Sequence, residues 1–313
     1  MKDLFRGLGP LLGLAAVMAI SGRGVAQAMY VSELLGVSVE EKTNDQPISA
    51  VTGLNFANSY TTQHNSATGW ANIMTPVLSY RFNQHIVVDS SVPWYLSVKS
   101  FVSTTSKGVT TYPLKSTTNV LGDLASSAHY EQTLGDFTDL ATIAVGFPTG
   151  NAKFGLSANT TTYNFTNHLE YTLGRFTPDV EIGIGTSSAL ANQAVRKQYV
   201  AAGKLANFQA GTNIQLPWNL DLDLEGYEQL PIGDQKVYGT VTKKIKKGAT
   251  RTVKVLEGTG AVEDNGFISE LDLPLGDHLV LAGTYNRSLI QSLDTVSFGM
   301  TWTLRTPMLS TVR

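Results

Sequence analysis

Residues 294–305 read DTVSFGMTWTLR. Val296, Phe298, Met300, Trp302 and Leu304 take every second position, with Thr295, Ser297, Gly299, Thr301 and Thr303 between them. Side chains alternate sides along a β-strand, so this stretch has one apolar face and one polar, uncharged face. The fold turns on what the apolar face meets: a protein core or lipid.

The same alternation recurs upstream in segments of about ten residues. In TYNFTNHLEYTL (162–173), Tyr163, Phe165, Leu169, Tyr171 and Leu173 oppose Thr162, Asn164, Thr166, His168, Glu170 and Thr172. In PDVEIGI (178–184), Val180, Ile182 and Ile184 oppose Asp179, Glu181 and Gly183. In NLDLDLEGYE (219–228), Leu220, Leu222 and Leu224 oppose Asp221, Asp223 and Glu225, and in FISELDL (267–273) Phe267, Leu271 and Leu273 oppose Ile268, Glu270 and Asp272. Short breaks at 83–84, 134–138, 174–178, 217–219, 246–248 and 274–277 alternate with longer polar ones at 61–69, 104–118, 148–161, 188–197 and 258–265. Short turns at one end and long loops at the other mark an outer-membrane barrel. The count is fourteen candidate strands, or twelve if the basic hairpin 236–257 lies outside the wall. Pro76, inside WANIMTPVLSYRF, conflicts with a closed ladder and calls for a shorter strand or a bulge.

Composition agrees. Only 15% of the 313 residues are charged, against about 25% in soluble domains, yet the mean hydropathy is −0.02. Lys2 and Arg6, the apolar run LGPLLGLAAVMAI (8–20) and Ala26-Gln27-Ala28 read as a secretory signal peptide over residues 1–28. Removing Lys2, Arg6, Arg23 and Asp3 with it turns 23 basic and 25 acidic residues into 20 and 24, a balance that argues against nucleic acid as partner. Residues 29–48 read as an N-terminal extension, 49–306 as the barrel and 307–313 as a C-terminal tail. There is no cysteine, and beyond the signal no apolar run is long enough for a helical span, so a bilayer can be crossed only by a closed barrel. Tyr60, Trp70, Tyr80, Tyr163, Tyr171, Trp218, Tyr285 and Trp302 stand near segment ends, where rings suit the lipid interface. The rival is a soluble periplasmic β-sandwich that binds a ligand, with those rings in its core.

The phrase NVLGDLASSAHYE (119–131), followed by a strand ending VGFPTGN (145–151), resembles the "GLGD … strand … PTG" signature of an outer-membrane transporter family labelled as phenol meta-cleavage pathway proteins. VSFGMTWTL resembles that family's closing strand. The resemblance spans residues 50–305 and implies an outer-membrane β-barrel for uptake of small aromatic or hydrophobic compounds. The ending MLSTVR after Pro307 departs from the terminal aromatic usual in such barrels.

On this reading His129, Glu131, His168, Glu170, Asp179, Glu181, Lys204, Asp221, Asp223, Glu225, Glu270, Asp272 and Arg287 line a pore. Grouped carboxylates favour cations; Arg81, Lys99, Lys204, Arg287 and Arg305 stand ready to pair with them. His129, beside Glu131 and Ser127, is the one place where a lipid hydrolase of the barrel type would keep its nucleophile. Neither HxxxH nor HExxH occurs, so no metal or other cofactor is expected. The basic run 242–254, with Lys243, Lys244, Lys246, Lys247, Arg251 and Lys254, is expected at the periplasmic end. The expected molecule is an exported, non-enzymatic channel in the bacterial outer membrane, a closed antiparallel barrel of 12 to 14 strands whose partners are the bilayer and a small permeant.

Overall fold

The computed structural model describes residues 53–101, 104–106, 109–111, 113–151, 154, 156–158, 160–186, 203–233, 238–244, 250–256, 263–276 and 278–307. The expected signal peptide, the extension 29–48 and residues 308–313 lie outside them.

In chain order the strands are β1 (Gly53–Asn65), β2 (Gly69–Arg81), β3 (Ile86–Ser91), β4 (Trp94–Phe101), β5 (Thr104–Ser106), β6 (Val109–Thr111), β7 (Leu114–Leu121), β8 (Leu124–Leu134) and β9 (Phe137–Phe147). They continue with β10 (Thr162–Tyr171), β11 (Phe176–Gly185), β12 (Leu205–Gln215), β13 (Asp221–Pro231), β14 (Tyr238–Lys244), β15 (Thr250–Leu256), β16 (Asp264–Pro274), β17 (Leu279–Ser288) and β18 (Leu293–Pro307). Fourteen of them form one antiparallel sheet, and β1 pairs with both β2 and β18. The closing pair runs from Gly53 opposite Pro307 to Asn65 opposite Thr295.

β3 and β4 both pair with β2, and they pair in turn with β8 and β7. Each couple is therefore one interrupted stave, broken at Val92–Pro93 and at Gly122–Asp123. The wall has twelve staves. The hairpins β5–β6 and β14–β15 stand outside it as separate two-stranded sheets. A closed ladder leaves no open edge for a second β-layer, so the sandwich alternative falls.

Two-residue connections need a backbone that reverses tightly. Leu134-Gly135-Asp136-Phe137 and Leu173-Gly174-Arg175-Phe176 share this chemistry: Gly135 and Gly174 adopt φ of +65° and +61°, which glycine reaches without a Cβ clash. These turns, with 82–85, 216–220 and 275–278, lie at the end of the wall where Gly53 and Pro307 also lie. The other end carries the connections 102–113, 148–161, 186–204 and 232–263, with short turns at 66–68 and 289–292. The basic hairpin joins β13 to β16, so it stands at this long-loop end. The expectation that it faces the other side is corrected: counting it among the turns shifts the alternation of ends by one.

Pro76 sits within β2, opposite Asn58 of β1. Its carbonyl accepts a bond from Val92 N. A strand residue directs its N and C=O to the same side, so the missing N–H faces the break at Val92–Pro93 and the β1 ladder is complete. The strand is not shortened; its neighbour is interrupted instead, and the β2–β4 register slips between Asn72 and Ile73.

The dry face of the opening stretch points outward. Phe298 and Trp302 are 57% and 43% exposed, whereas Ser297 and Thr301 between them are each 1% exposed. Lipid is the solvent in which that arrangement is stable. Replacing Phe298 by Arg is expected to lower the barrel's folding stability in vesicles by about 2–4 kcal/mol, as for cations near a bilayer midplane. Phe298→Leu is expected to stay within about 1 kcal/mol of wild type. Urea titrations of both variants make the comparison.

Candidate functional site

Register carries the inside–outside assignment from stave to stave. On β10 and β11 the inward positions are Thr162, Asn164, Thr166, His168 and Glu170, then Thr177, Asp179, Glu181, Gly183 and Gly185. On β13 they include Asp221, Asp223, Glu225, Tyr227 and Gln229, and on β16 Asp264, Ile268, Glu270 and Asp272. Between β11 and β13, β12 contributes Asn207, Gln209, Gly211 and Asn213. No Lys or Arg occupies an inward position of these five staves.

Most of the carboxylates lie within a few residues of the short-turn end. Several stand directly across from one another: Glu170 opposite Asp179, Asp221 opposite Asp272, and Asp223 opposite Glu270. Like charges in such cross-strand positions repel. His168 Nε2 lies 3.9 Å from Glu170 Oε2, Gln209 donates to Glu225 Oε2 at 3.0 Å, and Thr284 donates to Glu270 Oε2 at 3.0 Å. Higher up the wall the polar groups are closed among themselves, with Gln229 donating to Asn207 Oδ1 at 2.9 Å and both Ser288 and Tyr227 donating to Asp264.

The other expected lumen residues divide. His129 and Glu131 face inward on β8. His129 Nε2 meets Asp89 Oδ2 and its Nδ1 meets Thr142 Oγ1, so one imidazole ties three staves together. Both ring nitrogens have partners other than Ser127, the serine expected beside this histidine. Arg287 is corrected to the outer face: it shares the parity of Tyr285 and pairs with Asp294, whose other oxygen accepts from Tyr285 OH at 2.8 Å. Lys204 lies just before β12, exposed at the long-loop rim on the outer parity. Lys99 follows the register slip, and the slip turns it outward while Val98 is buried inside.

The ring-bearing residues face outward: Tyr60, Trp70, Tyr80, Tyr163, Tyr171, Tyr285 and Trp302 by parity, and Trp218 at 86% exposure in the turn 217–219. Trp70, Tyr163 and Tyr285 stand toward the long-loop end; Tyr80, Tyr171, Trp218 and Trp302 stand toward the short-turn end. Tyr60 is nearer mid-wall, where its hydroxyl donates to Asn72 Oδ1 at 3.0 Å.

Periodicity gave no sign of an apolar patch inside the barrel. Ala71, Ile73, Tyr95 and Val98 face inward from β2 and β4 and are buried with Leu156, while Val120 and Phe154 pack against them. Leu156 and Phe154 belong to the connection 148–161, which therefore turns into the lumen. Asp123 holds it there. Its Oδ1 accepts from Gly150 N at 2.8 Å and its Oδ2 from Ala158 N at 2.7 Å. Leu124 N donates to Thr149 Oγ1 at 2.8 Å, and Gly122 N donates across the break to Pro93 O at 2.8 Å. A Cβ on Gly150 would collide with backbone atoms of Gly122 and Leu156, so only glycine permits this approach. The phrases LGDL and PTG, distant in sequence, are thus two halves of one clamp. It lies on the third and fourth of the twelve staves counted from β1, and the acidic ones lie between the sixth and the tenth.

Nothing among known family models or curated proteins matches the chain. Solved structures do. An outer membrane channel from Pseudomonas putida F1 is 13% identical, with 83% of this chain and 100% of that one covered and a TM-score of 0.54. The toluene transporter TbuX of Ralstonia pickettii is 12% identical over 92% and 99% of the two chains, with a TM-score of 0.43. The NanC porin is 8% identical over 79% and 100%, with a TM-score of 0.48. The likeness to the Pseudomonas channel is one of fold, and a closed barrel of this kind fits a bacterial outer membrane.

Replacing Asp123 by Ala removes the acceptor of two backbone N–H bonds. Charge-assisted bonds of this type are worth about 1.5–3 kcal/mol each. The variant is expected to unfold at lower urea and to be cut by added protease between residues 148 and 161 faster than wild type, by gel analysis of timed digests.

Proposed function

We propose that the protein is an outer-membrane channel for small molecules with an apolar or aromatic body, passing cationic ones faster than anionic ones. The observation that carries this reading is the lumen's division into two kinds of surface. Staves β10 to β16 present carboxylates with no inward Lys or Arg, and staves β2 to β7 present an apolar patch completed by Leu156 and Phe154. Carboxylates around an aqueous path lower the energy of a cation and raise that of an anion. An apolar patch offers a ring or short alkyl group a dry contact that a purely polar wall lacks.

The short-turn end, with both strand termini, faces the periplasm on this reading, and the basic hairpin faces outside. The inward carboxylates and histidines on β8, β10, β11, β13 and β16 line the path. The folded-in connection narrows it opposite the acidic wall, so passage depends on how far the Asp123 clamp holds Leu156 against Ile73. No covalent step is involved. The uptake of aromatic compounds implied by the family resemblance rests on the same apolar patch.

In planar bilayers under a KCl gradient, the reversal potential is expected to have the sign of cation preference. Asp179→Asn with Glu181→Gln is expected to reduce it. In proteoliposomes, benzylammonium is expected to enter faster than benzoate, which has the same ring and the opposite charge. Faster benzoate entry, or no conductance from wild type and from Asp123→Ala alike, overturns the reading.

A further inference from the structure

Three of the inward carboxylates come from two different staves and meet over a third. Asp179 of β11 and Glu225 of β13 both stand opposite Gly211 of β12, and Asp223 is the next inward residue on β13. Each of the three offers an oxygen, and these oxygens all lie within 4.8 Å of one another. Only a glycine at position 211 allows this. A Cβ there would stand 2.7 Å from Glu225 Cγ and 2.6 Å from the Leu224 carbonyl, so any side chain would separate the two carboxylates. A second observation is independent of the spacing: Asp179 is 8% exposed and its Oδ1 has no hydrogen-bond partner. An orphaned carboxylate oxygen costs free energy unless something positive reaches it.

We propose that Asp179, Asp223 and Glu225 form a Ca2+ site on the inner wall. Ca2+ takes oxygen ligands at about 2.3–2.6 Å, so donors on opposite sides of one ion stand about 4.6–5.2 Å apart. Three oxygens with no separation above 4.8 Å stand at most about 2.8 Å from a common centre, so shifts of a few tenths of an ångström at most bring them to Ca2+ distance. An all-oxygen set with three carboxylates matches the hard, flexible coordination of Ca2+; Mg2+ ordinarily keeps most of its waters and uses one or two carboxylates. The three members offer only oxygen, which nitrogen- and sulfur-seeking metals favour less. Asp223 is less buried than the other two and leaves the site open toward the lumen, where water completes the shell. A bound ion also offsets the repulsion between Asp223 and the Glu270 opposite it. The site ties β11 to β13 across β12 without any backbone bond between them, and it stands whatever the permeant is.

Equilibrium dialysis of the purified full chain against radioactive Ca2+ tests this, in detergent and about 0.1 M KCl, where screening acts beyond about 10 Å. One saturable Ca2+ per chain is expected, displaced by Mg2+ only at higher concentration. Asp179→Asn and Glu225→Gln are each expected to weaken binding by at least about tenfold, since charge count sets affinity in such sites. Asp264→Asn removes the same charge from the same wall four residues further along β16 than Ile268, the residue opposite Glu225, about 13 Å away at the rise of a strand, and is expected to change binding by less than about twofold. Gly211→Ala keeps every carboxylate and is expected to weaken binding as the trio variants do. Heat-modifiable gel migration scores the folded fraction of each variant, and binding is counted per folded chain. The absence of saturable Ca2+ binding by wild type overturns the site. So does an equal loss in Asp264→Asn and Asp179→Asn, which would mark a diffuse cation atmosphere.

Discussion

Everything in this wall depends on one constraint: a backbone N–H or C=O facing hydrocarbon must find its partner within the protein. The pairing of β18 with β1 over the whole length of β1 satisfies it for the two strands that would otherwise be edges. Once the ladder closes, the alternation of side chains has only two environments to choose between, and large apolar residues go to the side without water. The same constraint explains how the wall tolerates its two breaks. At Val92–Pro93 and Gly122–Asp123 the ladder is interrupted on neighbouring staves at one level. The lost pairing is replaced by Gly122 N to Pro93 O across the gap and by the Asp123 clamp on the connection 148–161. A proline within β2 is permitted at this height because its nitrogen faces the gap.

The breaks also fix what the lumen is made of. A connection that supplies hydrogen-bond partners to the wall has to pass inside it, and it brings Phe154 and Leu156 along. These need an apolar surface, and the inward residues of β2 and β4 provide one. The acidic staves have unbroken ladders. Their inward side chains are mainly carboxylates, amides and hydroxyls that meet one another across the strands. The two halves of the lumen therefore differ because one half of the wall is continuous and the other is not.

Much of this is written in the period-two pattern. The outward set of β18, the carboxylate rows of β11, β13 and β16, and the aromatic residues near both rims follow from counting alternate residues within a single segment. Counting fails where the register slips. Lys99 lies beyond a slip and changes face; nothing local in YLSVKSF reports it. Arg287 fails for a different reason. Its alternation with Asn286 and its parity with Tyr285 place it outside, while its charge argues for inside; alternation prevails because Asp294 at the rim accepts from the Arg287 guanidinium and from the Tyr285 hydroxyl. The basic hairpin was legible as strands, but its end of the barrel depends on whether it counts as wall. Gly211 is silent in sequence: its importance appears only when register sets it between Asp179 and Glu225.

Carboxylates opposite carboxylates are a standing cost to a β-wall, since such pairs oppose the pairing that the ladder enforces. The wall carries three of them, between β10 and β11 and between β13 and β16. Shortening the side chains to Ser or Asn would relieve the repulsion without disturbing the ladder, as the long-loop half shows with its closed Asn207–Gln229 pair. Retained acid at the short-turn half is thus a choice the fold does not require. A barrel that needed only to close in lipid would do better without it. The acid stands on the inner face, away from lipid and from the backbone ladder, and the proposed passage of cations is the reading that gives it a use.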